Sequence, residues 1–120
     1  MRVAFVGSRI WTDWKSIEKA MKALNSNTDT IISGGARGVD TMSIHVAKKL
    51  GFRTLVHEAD WERNGFAAGY IRNEEIVSDS DIVHAFWDGE SKGTLHTITI
   101  AENARKEVIV HKLRLDDPKS

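Results

Sequence analysis

The sequence predicts an α/β fold, in which a single domain holds a doubly wound parallel sheet of about five strands with helices on both faces. Three observations predict it. Short apolar runs recur about every 25 residues, these runs lack the alternation of a half-exposed sheet, and segments with helical spacing lie between them. Right-handed crossovers then place helices on both faces. The predicted strands are Val3–Val6, Ile31–Ile32, Thr54–Val56, Ile82–Phe86 and Val108–Val110.

Apolar side chains at helical spacing mark the connections between these strands. The second stripe ends at Gly51, a position typical of the glycine that follows a helix. Residues 67–77 are less periodic and are also predicted to be helical. With strand order 3-2-1-4-5, the order reverses between the first and fourth strands. The three stripes are Ile17, Ala20, Met21 and Leu24; Val39, Met42, Val46 and Leu50; and Leu95, Ile98 and Ala101.

Composition excludes several classes of function. The 120 residues carry 17 basic and 17 acidic side chains, which disfavours a broad basic groove for a polynucleotide. The chain has no cysteine, so disulfides and zinc–thiolate sites are excluded. The five histidines lack metal-ligand spacing, and we expect no metal and no cofactor. No apolar run approaches the roughly 20 residues of a membrane span. We expect a cytoplasmic protein with one domain over residues 1–112 and a polar tail over 113–120.

Four loops rich in Gly, Ser and Arg follow or face the ends of predicted strands. Because the carboxyl ends of parallel strands meet at one edge of the sheet, we expect these loops to converge at the reversal of strand order. Glycines at a strand-to-helix turn let backbone N–H groups approach an anion, and the helix N-terminus attracts the same charge. The loops therefore predict a site for a phosphorylated ligand. They are Gly7–Arg9, Ser33–Asp40, Arg72–Asn73 and Trp87–Thr94.

Several side chains in these loops have two interpretations each. Arg37 is expected to bind phosphate, whereas Asp40 could accept a hydrogen bond from a ribose hydroxyl or cap the second helix. Ser91 and Thr94 could contact the ligand or cap the fourth helix. Arg9 could contact the ligand or be a solvated side chain, and Arg72 could contact the ligand or form an ion pair with Glu74 or Glu75. Trp87 could offer a stacking surface for a base, whereas Trp14 is predicted to pack in the core.

The connection from His57 to Phe66 is longer than its neighbours. It contains Trp61, Arg63 and Gly65. A connection of this length predicts either a flap over the site or a segment in which Trp61 fills a gap on the sheet surface.

Taken together, these motifs resemble the SLOG superfamily, which includes DNA-processing protein A and the Lonely Guy phosphoribohydrolases. The resemblance is closest to its small stand-alone branch related to YspA and YpsA. It implies a Rossmann-like sheet and a homodimer or larger homo-oligomer. It also implies a nucleotide or nucleotide-derived ligand, such as a nucleoside phosphate, an ADP-ribose-like molecule or a nucleotide sugar. The motifs that carry it are Gly7–Asp13, Ser33–Asp40, Ala68–Asn73 and Ala85–Thr94.

The same resemblance implies two alternative functions. Lonely Guy enzymes cleave the N-glycosidic bond of nucleoside monophosphates with an arginine, matched by Arg72, and a glutamate whose position is Thr97 here. Since threonine cannot act as that carboxylate, the candidate catalytic residues are Arg72, Glu75 and Glu90, with Asp88 a further substitute. DNA-processing protein A binds single-stranded DNA, a possible but less favoured partner for this neutral chain.

The sequence thus predicts a sensor or sequestering module for a small nucleotide-type ligand. We favour binding over catalysis because no general base stands out. The predicted ligand-binding residues are Gly7, Ser8, Arg9, Ser33, Gly34, Gly35, Ala36, Arg37, Gly38, Asp40, Arg72, Asn73, Trp87, Asp88, Ser91, Gly93 and Thr94.

Overall fold

A computed structural model describes residues 1–112, and the predicted tail at 113–120 lies outside the described residues. All strand pairs are parallel, in the order β3-β2-β1-β4-β5, which confirms the predicted doubly wound sheet and its strand order. The elements are β1 (Arg2–Gly7), α1 (Trp14–Lys22), β2 (Thr30–Gly34), α2 (Val39–Lys49), β3 (Arg53–His57), α3 (Trp61–Asn64), a 3-10 turn (Gly65–Ala67), α4 (Ala68–Asp79), β4 (Ile82–Trp87), α5 (Lys92–Asn103) and β5 (Glu107–Lys112).

Two apolar clusters hold the helices on the two faces of the sheet. On one face, Val3 and Phe5 of β1 pack with Ile17 and Met21 of α1 and with the apolar stripe of α2. On the other face, Ala4 and Val6 of β1 pack with residues of α4 and α5. The central strands β1, β2 and β4 are therefore covered on both faces, which explains their continuous apolar runs.

Coverage on both faces was also expected for the third and fifth strands, and there the prediction is wrong. Leu55 and Val56 of β3 and Val110 of β5 are exposed. These strands lie at the two edges of the sheet, and the helices pack over its centre. Short apolar runs cannot distinguish an edge strand from a central one.

The structure corrects the predicted burial of Trp14 and Leu95 and confirms the predicted position of Gly51. Trp14 is 44% exposed and contacts His45 edge-on, whereas Trp11 is the buried indole and packs against Phe86. Leu95 is exposed on α5, although Ile98 and Ala101 of the same stripe are buried as predicted. Gly51 follows Leu50, the C-cap residue of α2, and has φ +83°, which confirms its predicted place after the helix.

Among residues 1–112, no helix combines the length and the apolar character that crossing a membrane requires.

Candidate functional site

A cleft of about 360 Å³ opens where the loops after β1, β2 and β4 meet the helices α4 and α5. It lies at the reversal of strand order, since β1 and β4 are neighbours at the centre of the sheet. Three of the four predicted loops contribute to its wall, and so does Arg72–Asn73, which was predicted as a loop but lies within helix α4. The predicted residues that line it are Gly7, Ser8, Arg9, Ala36, Asp40, Arg72, Asn73, Asp88, Ser91, Gly93 and Thr94.

Ser8 joins the first loop to its neighbours. Its side chain is buried, its hydroxyl donates to Asp88 Oδ2 at 3.1 Å, and the N–H of Ile10 donates to Ser8 Oγ at 3.2 Å. The Ser8 carbonyl accepts from the N–H of Val39 at the start of α2. Three segments of the cleft wall are thus fixed through one short residue.

Asp88 organises the loop after β4. Its Oδ1 accepts from the N–H groups of Glu90, at 2.9 Å, and Ser91, at 2.8 Å. These hydrogen bonds to Glu90 and Ser91 lower the pKa of Asp88, so its carboxylate stays ionised at neutral pH. The residue acts as a charged anchor of the turn.

Asp40 lies in the first turn of α2, and its predicted role as helix cap is wrong. Gly38 occupies the N-cap position, with φ +75°. Asp40 is 5% exposed and accepts instead from the N–H of Ala36 at 3.2 Å. Burial raises the pKa of Asp40 to about 6, against the opposing effect of the nearby Arg72 guanidinium.

Gly34 leaves room for the side chains of Asp40 and Arg72 above the end of β2. A Cβ at this position would lie 2.6 Å from Asp40 Oδ2 and 2.9 Å from Arg72 Nη1. Both atoms therefore occupy the space that any other residue type would fill. The glycine predicted to admit a ligand instead admits these two charged side chains.

Arg72 is held by its neighbour in sequence. Its Nε donates to Asn73 Oδ1 at 3.0 Å, while the Asn73 amide donates to the Gly93 carbonyl at 3.3 Å and to His96 Nδ1 at 3.2 Å. Within residues 1–112, Arg72 forms no ion pair with Glu74 or Glu75. The alternative that Arg72 is a surface ion-pair partner is therefore wrong.

The first turn of α5 forms the opposite wall. Ser91 is its N-cap and accepts from the N–H of Thr94, and the two hydroxyls lie 3.0 Å apart, which confirms the capping interpretation. The N–H groups of Lys92 and Gly93 have no acceptor within the helix. Thr97 is buried one turn later, donates to the Gly93 carbonyl at 3.2 Å and lines the cleft.

The remaining predicted residues lie outside the cleft wall. Trp87 turns away, because its indole N–H donates to the Ser91 carbonyl at 3.1 Å and its ring lies beneath Lys112. Arg37 and Glu90 are exposed, and Glu75 lies 3.9 Å from His57 Nδ1. Ser33, Gly34 and Gly38 belong to the loop after β2 and its junctions but do not line the cleft, and Gly35 borders a neighbouring depression.

Four lining residues were not among the predicted site residues. Val6, Ile10, Ile76 and Thr97 also border the cleft. Thr97 carried a signal, since its position follows from the motif in α5. Val6 and Ile76 were indistinguishable by sequence from core residues.

No group of three or more His, Asp or Glu side chains suited to a metal ion occurs among the residues that the structure describes.

Comparison with known proteins identifies the family. The sequence model of the YAcAr family, described as the YspA, cpYpsA-related SLOG family, matches residues 1–64. The chain belongs to this family. The resemblance to the SLOG superfamily is thereby confirmed. The Gene 61 protein of Mycobacterium phage D29 is a similar protein, 35% identical over 117 residues that cover 90% of this chain and 94% of the phage protein.

Solved structures with the same fold include two DNA processing proteins A. The Streptococcus pneumoniae protein superposes with a TM-score of 0.77 at 24% identity, covering 97% of this chain and 52% of that protein. The Helicobacter pylori protein superposes with a TM-score of 0.75 at 22% identity, covering 98% of this chain and 67% of that one. This YAcAr chain thus spans about half the length of the pneumococcal protein, and at these identities the likeness shows the shared fold.

Proposed function

We propose that this protein binds a phosphate-bearing, nucleotide-type small molecule in the cleft, as a sensor or sequestering module. One observation carries the proposal: the cleft brings together three strand-end loops, the first turn of α5 and the guanidinium groups of Arg9 and Arg72. Ligands of open α/β sheets bind at this place in the fold. Its volume of about 360 Å³ suits part or all of one nucleotide.

The phosphate would lie between Arg72 and the first turn of α5. Asn73 fixes Arg72 through Nε, which leaves the terminal nitrogens for a charge-assisted contact. Gly93 has nothing within 4 Å of where a Cβ would be, so an oxygen-rich group can approach the free N–H groups there. Ala36 is less suited than expected, since its N–H already donates to Asp40.

Asp40 would accept a hydrogen bond from a sugar hydroxyl. It lines the cleft although it is almost fully buried. With a pKa of about 6, its carboxyl is mainly ionised at neutral pH and can act as an acceptor. A ligand that combines phosphate with ribose therefore suits both ends of the cleft.

Cleavage of the ligand is a second candidate function. Within the cleft, Asp40 and Asp88 are the two carboxyl groups, and Thr97 stands where the resemblance predicts a glutamate. Asp40 is the better general acid or base of the two, because its pKa of about 6 is close to neutral. Product analysis tests this candidate: free base released by the wild type and lost in Asp40→Asn would establish it.

Binding of single-stranded DNA is a third candidate. The structure of the Helicobacter pylori protein is described as showing its single-stranded DNA binding mode, and here Arg9, Arg37 and Arg63 are exposed. Against a polymer stands the net charge of zero. A polymer-binding surface would show affinity that rises with oligonucleotide length and falls steeply with salt, whereas one nucleotide would show neither.

A thermal-shift screen of nucleotides, ADP-ribose and nucleotide sugars, with mass analysis of each hit, tests the proposal. A ligand at 100 times its Kd should stabilise the fold by about 2.7 kcal/mol. Arg72→Ala should weaken binding about tenfold to a hundredfold, the loss of a charged hydrogen bond. Arg53→Ala, exposed at the opposite end of the sheet, is the matched control. Equal affinity in both variants would remove Arg72 from the site.

A further inference from the structure

A second depression of about 310 Å³ adjoins the cleft, and Arg9, Ala36 and Arg72 line both. Its other lining residues are Gly35, Glu58, Ala59 and Trp61. We propose that this side pocket receives the base of the bound nucleotide, which stacks on Trp61 and donates to Glu58. The inference rests on the proposed function. It assigns to Trp61 the base stacking that the sequence analysis predicted for Trp87.

Trp61 is an exposed indole at the start of a short capped helix. It is the first residue of α3, whose N-cap Asp60 accepts from the N–H of Arg63 at 3.1 Å. The side chain is 55% exposed. The predicted flap is thus a short helix, and Trp61 fills no gap beneath it.

Gly69 places the indole beside Arg72. A Cβ at Gly69 would lie 3.6 Å from Trp61 Cη2 and 3.9 Å from Arg72 Nη2. The ring edge and the guanidinium therefore share the small space above the first turn of α4. A nucleotide whose phosphate binds Arg72 would have its base within reach of the Trp61 ring, because Arg72 and Trp61 line the same depression and both lie within 4 Å of the Gly69 Cβ position.

The chemistry of the side pocket suits a base. Aromatic rings bind bases of every kind by stacking, and Trp offers the largest surface. Glu58 lies at the rim, with Oε1 3.1 Å from where a Gly35 Cβ would be. A carboxylate accepts hydrogen bonds only, so it favours bases with an exocyclic amino group over uracil. Adenine, guanine and cytosine carry that group.

The experiment compares a nucleotide with its sugar phosphate. AMP and ribose 5-phosphate are titrated calorimetrically into the wild type, Trp61→Ala and Trp61→Phe, with circular dichroism to confirm folding. Trp61→Ala should lose about tenfold or more in AMP affinity, the magnitude of one base stack, and keep its affinity for ribose 5-phosphate. Trp61→Phe should retain most of the AMP affinity. Trp14→Ala removes another half-exposed indole, from α1, and should change neither.

The outcomes separate this inference from the proposed function. If Trp61→Ala binds AMP as tightly as the wild type, or loses both ligands equally, the base does not stack on Trp61, although the phosphate site stands. If the wild type binds neither AMP, GMP, CMP, UMP, ADP-ribose nor ribose 5-phosphate, both proposals fail. For Glu58, the ratio of AMP to UMP affinity should fall in Glu58→Gln. An unchanged ratio would remove Glu58 from base recognition.

Discussion

Asp40 and Arg72 form the electrostatic centre of the cleft. Their charged groups both approach Gly34; the side chain of Asn73 holds Arg72, and the N–H of Ala36 donates to Asp40. A buried carboxylate is destabilising unless it is paired, and here the charge of Arg72 does not offset the effect of burial, so the pKa of Asp40 is raised to about 6. Such a residue lowers stability, and a loss of this kind is expected if the cleft has the proposed binding function.

Asp40→Asn should therefore stabilise the folded protein at neutral pH. The folded-state pKa lies above the unfolded value of 3.8, so ionisation is more costly in the folded chain, and stability falls as pH rises from about 4 through about 6. Asparagine does not ionise. The free energy of unfolding of Asp40→Asn, relative to that of the wild type, should rise by about 2 kcal/mol between pH 4 and pH 7.5. Urea denaturation at both pH values measures this gain, and a pH-independent difference would show that Asp40 is not strained by its charge.

Sequence reasoning located the cleft but not the direction of every side chain. Ser8, Asp88 and Ser91 could be predicted because loops after parallel strands share one edge, whatever their details. Trp87 could not, since its orientation depends on a hydrogen bond to the Ser91 carbonyl that no local pattern encodes. Trp61 was visible only as an aromatic residue in a long connection, although Asp60 before it is an N-cap signal.

At the scale of elements, the junction of the β1 loop with α2 fixes the cleft geometry. Gly38 has φ +75°, and a Cβ there would lie 2.3 Å from the Ser8 carbonyl oxygen and 2.6 Å from Arg9 Cα. Both neighbours are backbone atoms and cannot move aside without moving the loop. The same contact lets Ser8 accept from the N–H of Val39.

Gly38→Ala should consequently disrupt both the fold and the cleft. We expect the free energy of unfolding to fall by about 3 kcal/mol or more, because the added methyl group overpacks the junction and alanine is strained in the left-handed conformation. Gly51→Ala is the control, since Gly51 has φ +83° but open space around it, and should cost only about 1–2 kcal/mol. Chemical denaturation gives both values. Similar losses would mean that the β1 loop yields to the added methyl group.

Strands and helices were more predictable at the centre of the sheet than at its edges. Residues of β1, β2 and β4 are buried by helices on both faces, as their apolar runs predicted. In β3 and β5 the apolar runs are no shorter than the run of central β2, yet Leu55 and Val110 are exposed. An amphipathic stripe likewise did not reveal that Leu95 points away from the core.

For the whole molecule, the reversal of strand order explains why so much of the site followed from sequence. Loops that are far apart in the chain are brought together by the order β3-β2-β1-β4-β5 alone. The assembly state does not follow in this way. A homodimer or larger assembly stays a prediction of the resemblance, to be measured by sedimentation.

Global stability in weak acid should depend on a second buried group, His84. Its Nδ1 lies 2.9 Å from His111 Nε2, and its ring stacks on Phe5 at 4.9 Å. Burial, followed by the charge of His111, lowers the pKa of His84 to about 4. The folded state thus favours the neutral ring, so this contribution to stability is complete above pH 6.5 and is lost as pH falls toward 4.

The contributions of His84 and Asp40 therefore oppose each other over nearly the same pH range. Acidification from pH 6.5 to 4 removes stability through His84 and restores it through Asp40, so these two contributions offset each other in the wild type. Burial also lowers the pKa of His111, which adds to the loss of stability on acidification. His84→Phe keeps an aromatic ring beside Phe5 and abolishes the titration at position 84. On acidification its free energy of unfolding should therefore rise by about 2 kcal/mol relative to that of the wild type. Asp40→Asn should lose a similar amount relative to the wild type. Asp29 and Asp88, whose pKa values are lowered, affect all three proteins equally and cancel in these differences. Denaturation midpoints at half-unit steps would show two diverging curves, and parallel curves would mean that neither burial governs the acid response.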